Sequence, residues 1–300
     1  IIGSFASDFY TLYPGANILV VSEKQINAQN RRKFFSKIAT SDYDAIIIGH
    51  SHLKNLPNSP LAEEQVIQEK LDELRRAKEE AKREAKEAGG RGASVSQIEE
   101  AIDRLNGKLK ELKEGAEKRD DKIGLNFEEM GIDFLAIDEA HEFKNLMYST
   151  SSDRVVGMND PKGSQKAFDL LVKARSVQNL GKQGAVSFMT GTPISNSLVE
   201  LYTMMYYLGY EDLKDNNISH YDAFAGSFLN TENAMEYTAT GTLKERVVLK
   251  GLNNVKELST KYRQFADVIT HDDMKRIYAE DTEESNAANG ENKDTRFPIP

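Results

Sequence analysis

Four short apolar runs constrain this chain more than any other feature. They are Asn17-Ile18-Leu19-Val20-Val21, Asp44-Ala45-Ile46-Ile47-Ile48-Gly49, Ile132-Asp133-Phe134-Leu135-Ala136-Ile137-Asp138 and Ala185-Val186-Ser187-Phe188-Met189-Thr190. Each is continuous rather than alternating, the pattern of parallel strands covered on both faces. Helix-period stretches at 25–39 and 164–180 lie between them. Strand, helix, strand in this order predicts an α/β fold, a parallel sheet with helices on both faces. With 300 residues, 39% of them apolar, the chain can bury a substantial core.

Residues 61–120 follow another rule. They are rich in Glu, Lys, Arg and Ala, and Val95, Ile98, Ile102, Leu105, Leu109, Leu112 and Ala116 recur at steps of three and four. Ile67, Leu71, Leu74, Ala81, Ala85 and Ala88 form an earlier stripe, broken by Lys78. Gly89-Gly90-Arg91-Gly92 can reverse the chain between the two, and Ser94 to Gln97 fits a capping box. The pattern predicts an antiparallel helical hairpin inserted in the α/β body, with arms of roughly 33 Å. The division that follows is 1–60 with 121–210 for the α/β lobe and 61–120 for the hairpin. A mainly helical extension follows over 211–279, then a flexible acidic tail over 280–300.

Charge and composition then exclude whole classes. The net charge is −9, so nucleic acid would need a locally basic face. With no cysteine, disulfides, thiolate metal sites and a cysteine nucleophile are ruled out. No apolar run reaches the length of a membrane span, and Ile1-Ile2-Gly3 lacks the basic start expected of a signal peptide. The expected compartment is the cytoplasm. The first residue is Ile1 rather than Met, which points to a piece of a longer protein.

Two strings carry chemistry. In Phe134-Leu135-Ala136-Ile137-Asp138-Glu139-Ala140-His141, an apolar strand ends in adjacent carboxylates. Ligands of a parallel sheet sit at the carboxyl ends of its strands. Asp138 there can hold Mg²⁺ through its waters, and Glu139 can polarise a water for in-line attack on a γ-phosphate. The second string, Met189-Thr190-Gly191-Thr192-Pro193-Ile194-Ser195-Asn196-Ser197, also follows a strand. Gly191 permits a tight turn and Pro193 stops the strand, placing the Thr190 and Thr192 hydroxyls near Asp138 and His141. Plainer readings exist for both: a solvated acidic turn and a helix N-cap.

Asp138-Glu139-Ala140-His141 resembles the DEAH form of helicase motif II. Phe143-Lys144-Asn145 resembles the continuation found in Swi/Snf-type ATPases. Thr190 to Asn196, with Leu198-Val199-Glu200-Leu201-Tyr202 after it, resembles motif III and its helix in that branch, and Ala45 to Ser51 resembles the motif Ib strand more loosely. The layout is similar to the helicase part of large helicase–methylase proteins of phages, plasmids and conjugative elements. The resemblance implies an ATP-dependent DNA helicase or translocase built from two RecA-like lobes, using ATP and Mg²⁺ and acting on duplex DNA. It places Asp138 with the metal, Glu139 with the attacking water and His141 with coupling to Thr190, Gly191 and Thr192. It also implies a second RecA-like lobe as partner, and a methyltransferase domain that nothing in these residues encodes.

The chain departs from that pattern in one respect: G-x-x-x-x-G-K-[ST] occurs nowhere in it. The expectation is a first lobe lacking its P-loop and first strands, inactive as an ATPase by itself. A DNA face is expected where charge reverses locally. From Lys144 to Lys182 there are seven basic and three acidic residues, with Lys144, Asn145, Lys166, Lys173 and Arg175 as candidate contacts, although surface lysines alone would give the same count. Two other functions compete with the motor: an interaction module whose working surface is the hairpin, and a Mg²⁺-dependent nuclease using Asp138 and Glu139, which lacks a third well-placed carboxylate.

Overall fold

The computed structural model describes residues 2–22, 26, 30–87, 93–118, 125–150, 161–182, 184–195, 197–237 and 243–279. It falls into two units, 1–255 and 256–300. The first begins with α1 (Ile2–Leu12), β1 (Ile18–Val20), α2 (Arg31–Thr40), β2 (Ala45–Ile47) and the short α3 (His50–Leu53). The long pair α4 (Pro60–Glu87) and α5 (Ala93–Lys118) follows, then β3 (Leu135–Ile137), α6 (Gln165–Gln178) and β4 (Val186–Phe188). The unit closes with α7 (Leu198–Leu208), α8 (Tyr210–Asp215), α9 (Tyr221–Phe228), β5 (Leu229–Tyr237) and β6 (Leu243–Leu252). Short 3-10 turns cover Phe127–Met130 and Ala140–Phe143.

The architecture is α/β with parallel pairing. β1 pairs with β2 and β3 with β4, in the registers Ile18↔Ala45 and Leu135↔Val186. Among the described residues the strands pair two by two rather than in one continuous sheet. Covering on both faces also fails for β3. Leu135 and Ile137 are buried, but Ala136 between them is exposed, and so is Phe134 at 54%. The run is apolar throughout, yet one of its faces is open.

α4 and α5 form the antiparallel hairpin. Lys78 pairs with Glu99 and Glu64 with Lys113, both at 2.8 Å, so fourteen residues forward on one helix is fourteen back on the other. The break in the apolar stripe at Lys78 is thereby explained as a bridge between the arms. The hairpin's root is part of the core rather than an attachment to it. Ile67 and Leu71 are fully buried, each burial stabilising by roughly 1.5–3 kcal/mol. Tyr206 of α7 donates to both oxygens of Glu73 at 3.1 Å, and Lys70 lies 4.1 Å from the centre of the Tyr206 ring.

α7 is mostly apolar and is buried from Val199 to Tyr207, Glu200 and Thr203 included. Ser197 caps its start, accepting from the Val199 N–H at 3.2 Å. Its tyrosines pack and anchor: Tyr202 donates to the Ser219 carbonyl at 2.5 Å, and Tyr207 to the Ala167 carbonyl at 2.7 Å. Beyond α9 the stretch expected to be mainly helical also contains two strands. β5 and β6 form an antiparallel ribbon of nine and ten residues, with an irregularity at Asn230/Thr231. The polar run 229–237 shows neither a helical nor a regular alternating apolar stripe, and Lys250 pairs with Glu232 across the ribbon at 2.5 Å.

The second unit contains most of α10 (Val255–Arg263) and a helical stretch over 271–279. Tyr262 meets Phe265 edge-on, with ring centres 5.2 Å apart. The acidic tail over 280–300 lies outside the described residues. No described helix is long and apolar enough to cross a membrane.

Candidate functional site

The β3–β4 ladder delivers two turns to one place. Beyond the last paired residues, Ile137 and Phe188, the Met189 N–H donates to the Ile137 carbonyl at 2.8 Å. The Ala140 N–H donates to the Met189 carbonyl at 3.0 Å. Parallel strands that leave the ladder together carry Asp138–His141 and Thr190–Ser195 to the same carboxyl edge, where parallel sheets bind ligands.

The first turn is tight and strained. Asp138 Oδ1 accepts from the Glu139 N–H at 2.9 Å. Glu139 adopts φ 48°, ψ 45°, the left-handed region, in which a residue with a side chain is strained by roughly 1–2 kcal/mol. Such strain concentrates at working sites. Asp138 and Glu139 are both exposed, facing solvent rather than the core.

His141 joins the turns. Its Nδ1 lies 3.0 Å from Thr190 Oγ1, across 49 residues of sequence, and 3.2 Å from Glu139 Oε2. An ionised carboxylate can only accept, so the Glu139 contact puts the proton on Nδ1. Thr190 Oγ1 accepts the Thr192 N–H at 3.1 Å, which bends the second turn back on itself. Gly191 and Thr192 are exposed between them. Asp138, Glu139, His141, Thr190, Gly191 and Thr192 therefore form one constellation.

The expected basic face divides differently. Lys173 is 0% exposed and donates to both oxygens of Asp169 at 2.8 Å. Burial pushes the Lys173 ammonium down and the Asp169 carboxyl up, so desolvation outweighs their attraction. Arg175 is also buried, bound to Glu69 at 3.3 Å and to the Tyr206 carbonyl at 2.9 Å. Lys144 reaches Glu200 Oε1 at 2.9 Å and donates to Ser195 Oγ at 2.6 Å. Lys173 and Arg175 are interior side chains, which corrects their assignment as phosphate contacts, whereas Lys144 is part-exposed and engaged by Glu200 and Ser195. Counting charges cannot tell which way a side chain turns. Of the five candidates, Asn145 is exposed, and Lys166 is part-exposed, 3.0 Å from Glu142 and 4.4 Å from the centre of the Phe143 ring. Lys166 in turn holds the Glu142 carboxyl below its usual range.

Glu200 and Ser195 are the residues that the sequence reading left without a role. Ser195 and Glu200 stand within the quoted resemblance, but nothing in their spacing reveals that they meet Lys144. As for a metal, the described residues contain no group of three or more acidic or histidine ligands. One exposed carboxylate at a strand end suits Mg²⁺ that keeps its waters and shares phosphate oxygens, rather than an all-protein cage.

Comparison with known families bears on this geometry. No curated protein and no solved structure matches the chain. A family model described as "Probable helicase domain" matches residues 2–270. The match takes in both turns, the hairpin and the strands that position them, and this chain belongs to that helicase-domain family.

Proposed function

We propose that this chain is the part of an ATP-driven DNA helicase or translocase that activates water and couples hydrolysis to movement. The reading takes the Asp138–His141 turn as a DEAH-type motif II and the Thr190–Ser195 turn as motif III of the Swi/Snf branch. The observation that carries it is the 3.0 Å contact between His141 Nδ1 and Thr190 Oγ1.

In this reading Asp138 holds the waters of Mg²⁺, which supplies charge neutralisation on the phosphates. Glu139 orients the attacking water and takes its proton. In the resting geometry the Glu139 carboxylate leans on His141. Turning it to a water frees the Nδ1–H for Thr190 alone, so the chemical state of Glu139 reaches the second turn through one imidazole. Asn145 and Lys166 are the remaining candidates for DNA phosphates. The triphosphate cradle and the second lobe are not encoded in these residues, so the isolated chain hydrolyses ATP negligibly.

The test is Glu139→Gln in a full-length parent carrying both lobes. The expected result is loss of turnover by a factor of about 10³ with nucleotide binding retained. Retained turnover removes Glu139 from the role given to it here.

A further inference from the structure

The charged cluster behind the two turns has a composition that packing alone does not require. Glu200 sits in the first turn of α7, three residues after its cap Ser197, where a glutamate ordinarily reaches back to the cap's own N–H. It reaches further instead. Glu200 Oε2 accepts the Ser195 N–H at 2.6 Å and lies 3.2 Å from Ser195 Oγ, while Oε1 meets Lys144 at 2.9 Å. The carboxylate is 0% exposed, and Lys144 closes the ring by donating to Ser195 Oγ at 2.6 Å.

Each member of this ring belongs to a different element. Lys144 lies three residues past His141, and its N–H donates to the His141 carbonyl at 3.3 Å. Ser195 lies five residues past Thr190. Glu200 is fixed in a helix buried along nearly its whole length. The two turns are therefore tied at two places: at the site by His141–Thr190, and behind it by Lys144–Ser195–Glu200. Burying a carboxylate for helix capping alone is costly, because an exposed glutamate satisfies the same amides in water. A buried carboxylate that joins the residues after both turns to the start of α7 does something an exposed cap cannot, which is to fix their separation.

We infer that Glu200 is a positioning residue: with Lys144 and Ser195 it forms a clasp that holds the Thr190 hydroxyl in register with His141. The geometrical half of this inference stands on the contacts alone. Its consequence for turnover rests on the proposed function above.

Two measurements separate these halves. The first uses the 300-residue chain and the ring-nitrogen and ring-carbon NMR signals of His141, one of only five histidines, assigned with His141→Gln. Thr190→Val supplies the spectrum of an uncoupled His141. Glu200→Gln is expected to move the His141 signals at least halfway to that reference, and Lys144→Gln to do the same. Lys144→Arg, which keeps the cation, is expected to move them less. Signals that stay in place in whichever of the folded variants is obtained overturn the clasp. The second measurement is steady-state ATPase in the full-length parent. Glu200→Gln is expected to lower kcat by 10- to 30-fold with KM for ATP within twofold. Unchanged kcat beside shifted His141 signals overturns the link to turnover. A wild-type parent without any ATPase refutes the proposed function and leaves the NMR result to decide the clasp.

Discussion

Replacing Gly163 with alanine places a methyl group where backbone already stands. Gly163 has φ +65°, and a Cβ built on it would lie 2.3 Å from the Met147 nitrogen and 2.7 Å from its Cα. Neither atom can swing away as a side-chain tip could. Met147 is held on both sides: the Tyr148 N–H donates to the Pro161 carbonyl at 3.1 Å, and the Ser164 N–H to the Asn145 carbonyl at 2.7 Å. The left-handed conformation costs an L-residue about 1–2 kcal/mol, and forcing a methyl into packed surroundings adds about 1–3 kcal/mol. The expected loss is thus about 2–5 kcal/mol. For a unit of this size each kcal/mol is worth roughly 2–4 °C, so Tm should fall by roughly 4–20 °C. Differential scanning calorimetry of wild type and Gly163→Ala is the assay, with Gly107→Ala as the reference, since nothing lies within 4 Å of a Cβ at Gly107. A Gly163→Ala protein melting within 1 °C of wild type would refute the reasoning, because the neck joining 145–148 to 161–164 would then have to be loose.

Glu139→Gly should stabilise the chain while removing a carboxylate from the site. It relieves the left-handed strain at φ 48°, for a gain of about 0.5–1 kcal/mol after the entropy of the added glycine. Urea unfolding checks the sign, and a drop in midpoint would mean that Glu139 is not strained. Lys70 makes stability depend on alkaline pH. Burial lowers its ammonium to about 8, against attraction from Glu73 and Glu69 and with Arg175 and Lys108 pushing the same way. Between pH 8 and 10 the unfolded chain therefore binds more protons at this position, and stability rises with pH by up to about 2–3 kcal/mol. Burial raises the phenols of Tyr202, Tyr206 and Tyr207, so above pH 10 the unfolded chain loses tyrosine protons first and stability falls. Urea midpoints across this range should peak near pH 10, and Lys70→Met should flatten the rising limb. A rising limb unchanged in Lys70→Met would assign it to Lys108 and Lys173, which burial shifts in the same direction.

The strands and the hairpin were readable because their signals are local. Each of the four parallel strands β1 to β4 lies within its apolar run, and the seam from Val95 to Leu112 repeats at the spacing of a helix. The Asp138–Glu139 turn and the Thr190–Pro193 turn were readable for the same reason: each is a strand followed by residues that end it. What the sequence withheld is direction. Lys144, Lys173 and Arg175 carry the same charge as Lys166, but Lys144 and Arg175 are engaged by partners 31 to 106 residues away, such as Glu200, Glu69 and the Tyr206 carbonyl, and Lys173 is buried with Asp169 one helical turn before it. The open face of β3 was hidden likewise, since an apolar run describes what a strand can bury and not what is present to cover it. The β5–β6 ribbon has no apolar alternation to announce it.

α7 has a mechanical consequence. Glu200 near one end touches the residues behind the His141–Thr190 contact, and Tyr206, six residues on, is bonded to Glu73 of the hairpin root. Six residues of helix span about 9 Å. The root of the hairpin and the two turns are therefore linked through one buried helix over less than two helical windings, so a shift of either end is felt at the other through packed backbone rather than through a loop.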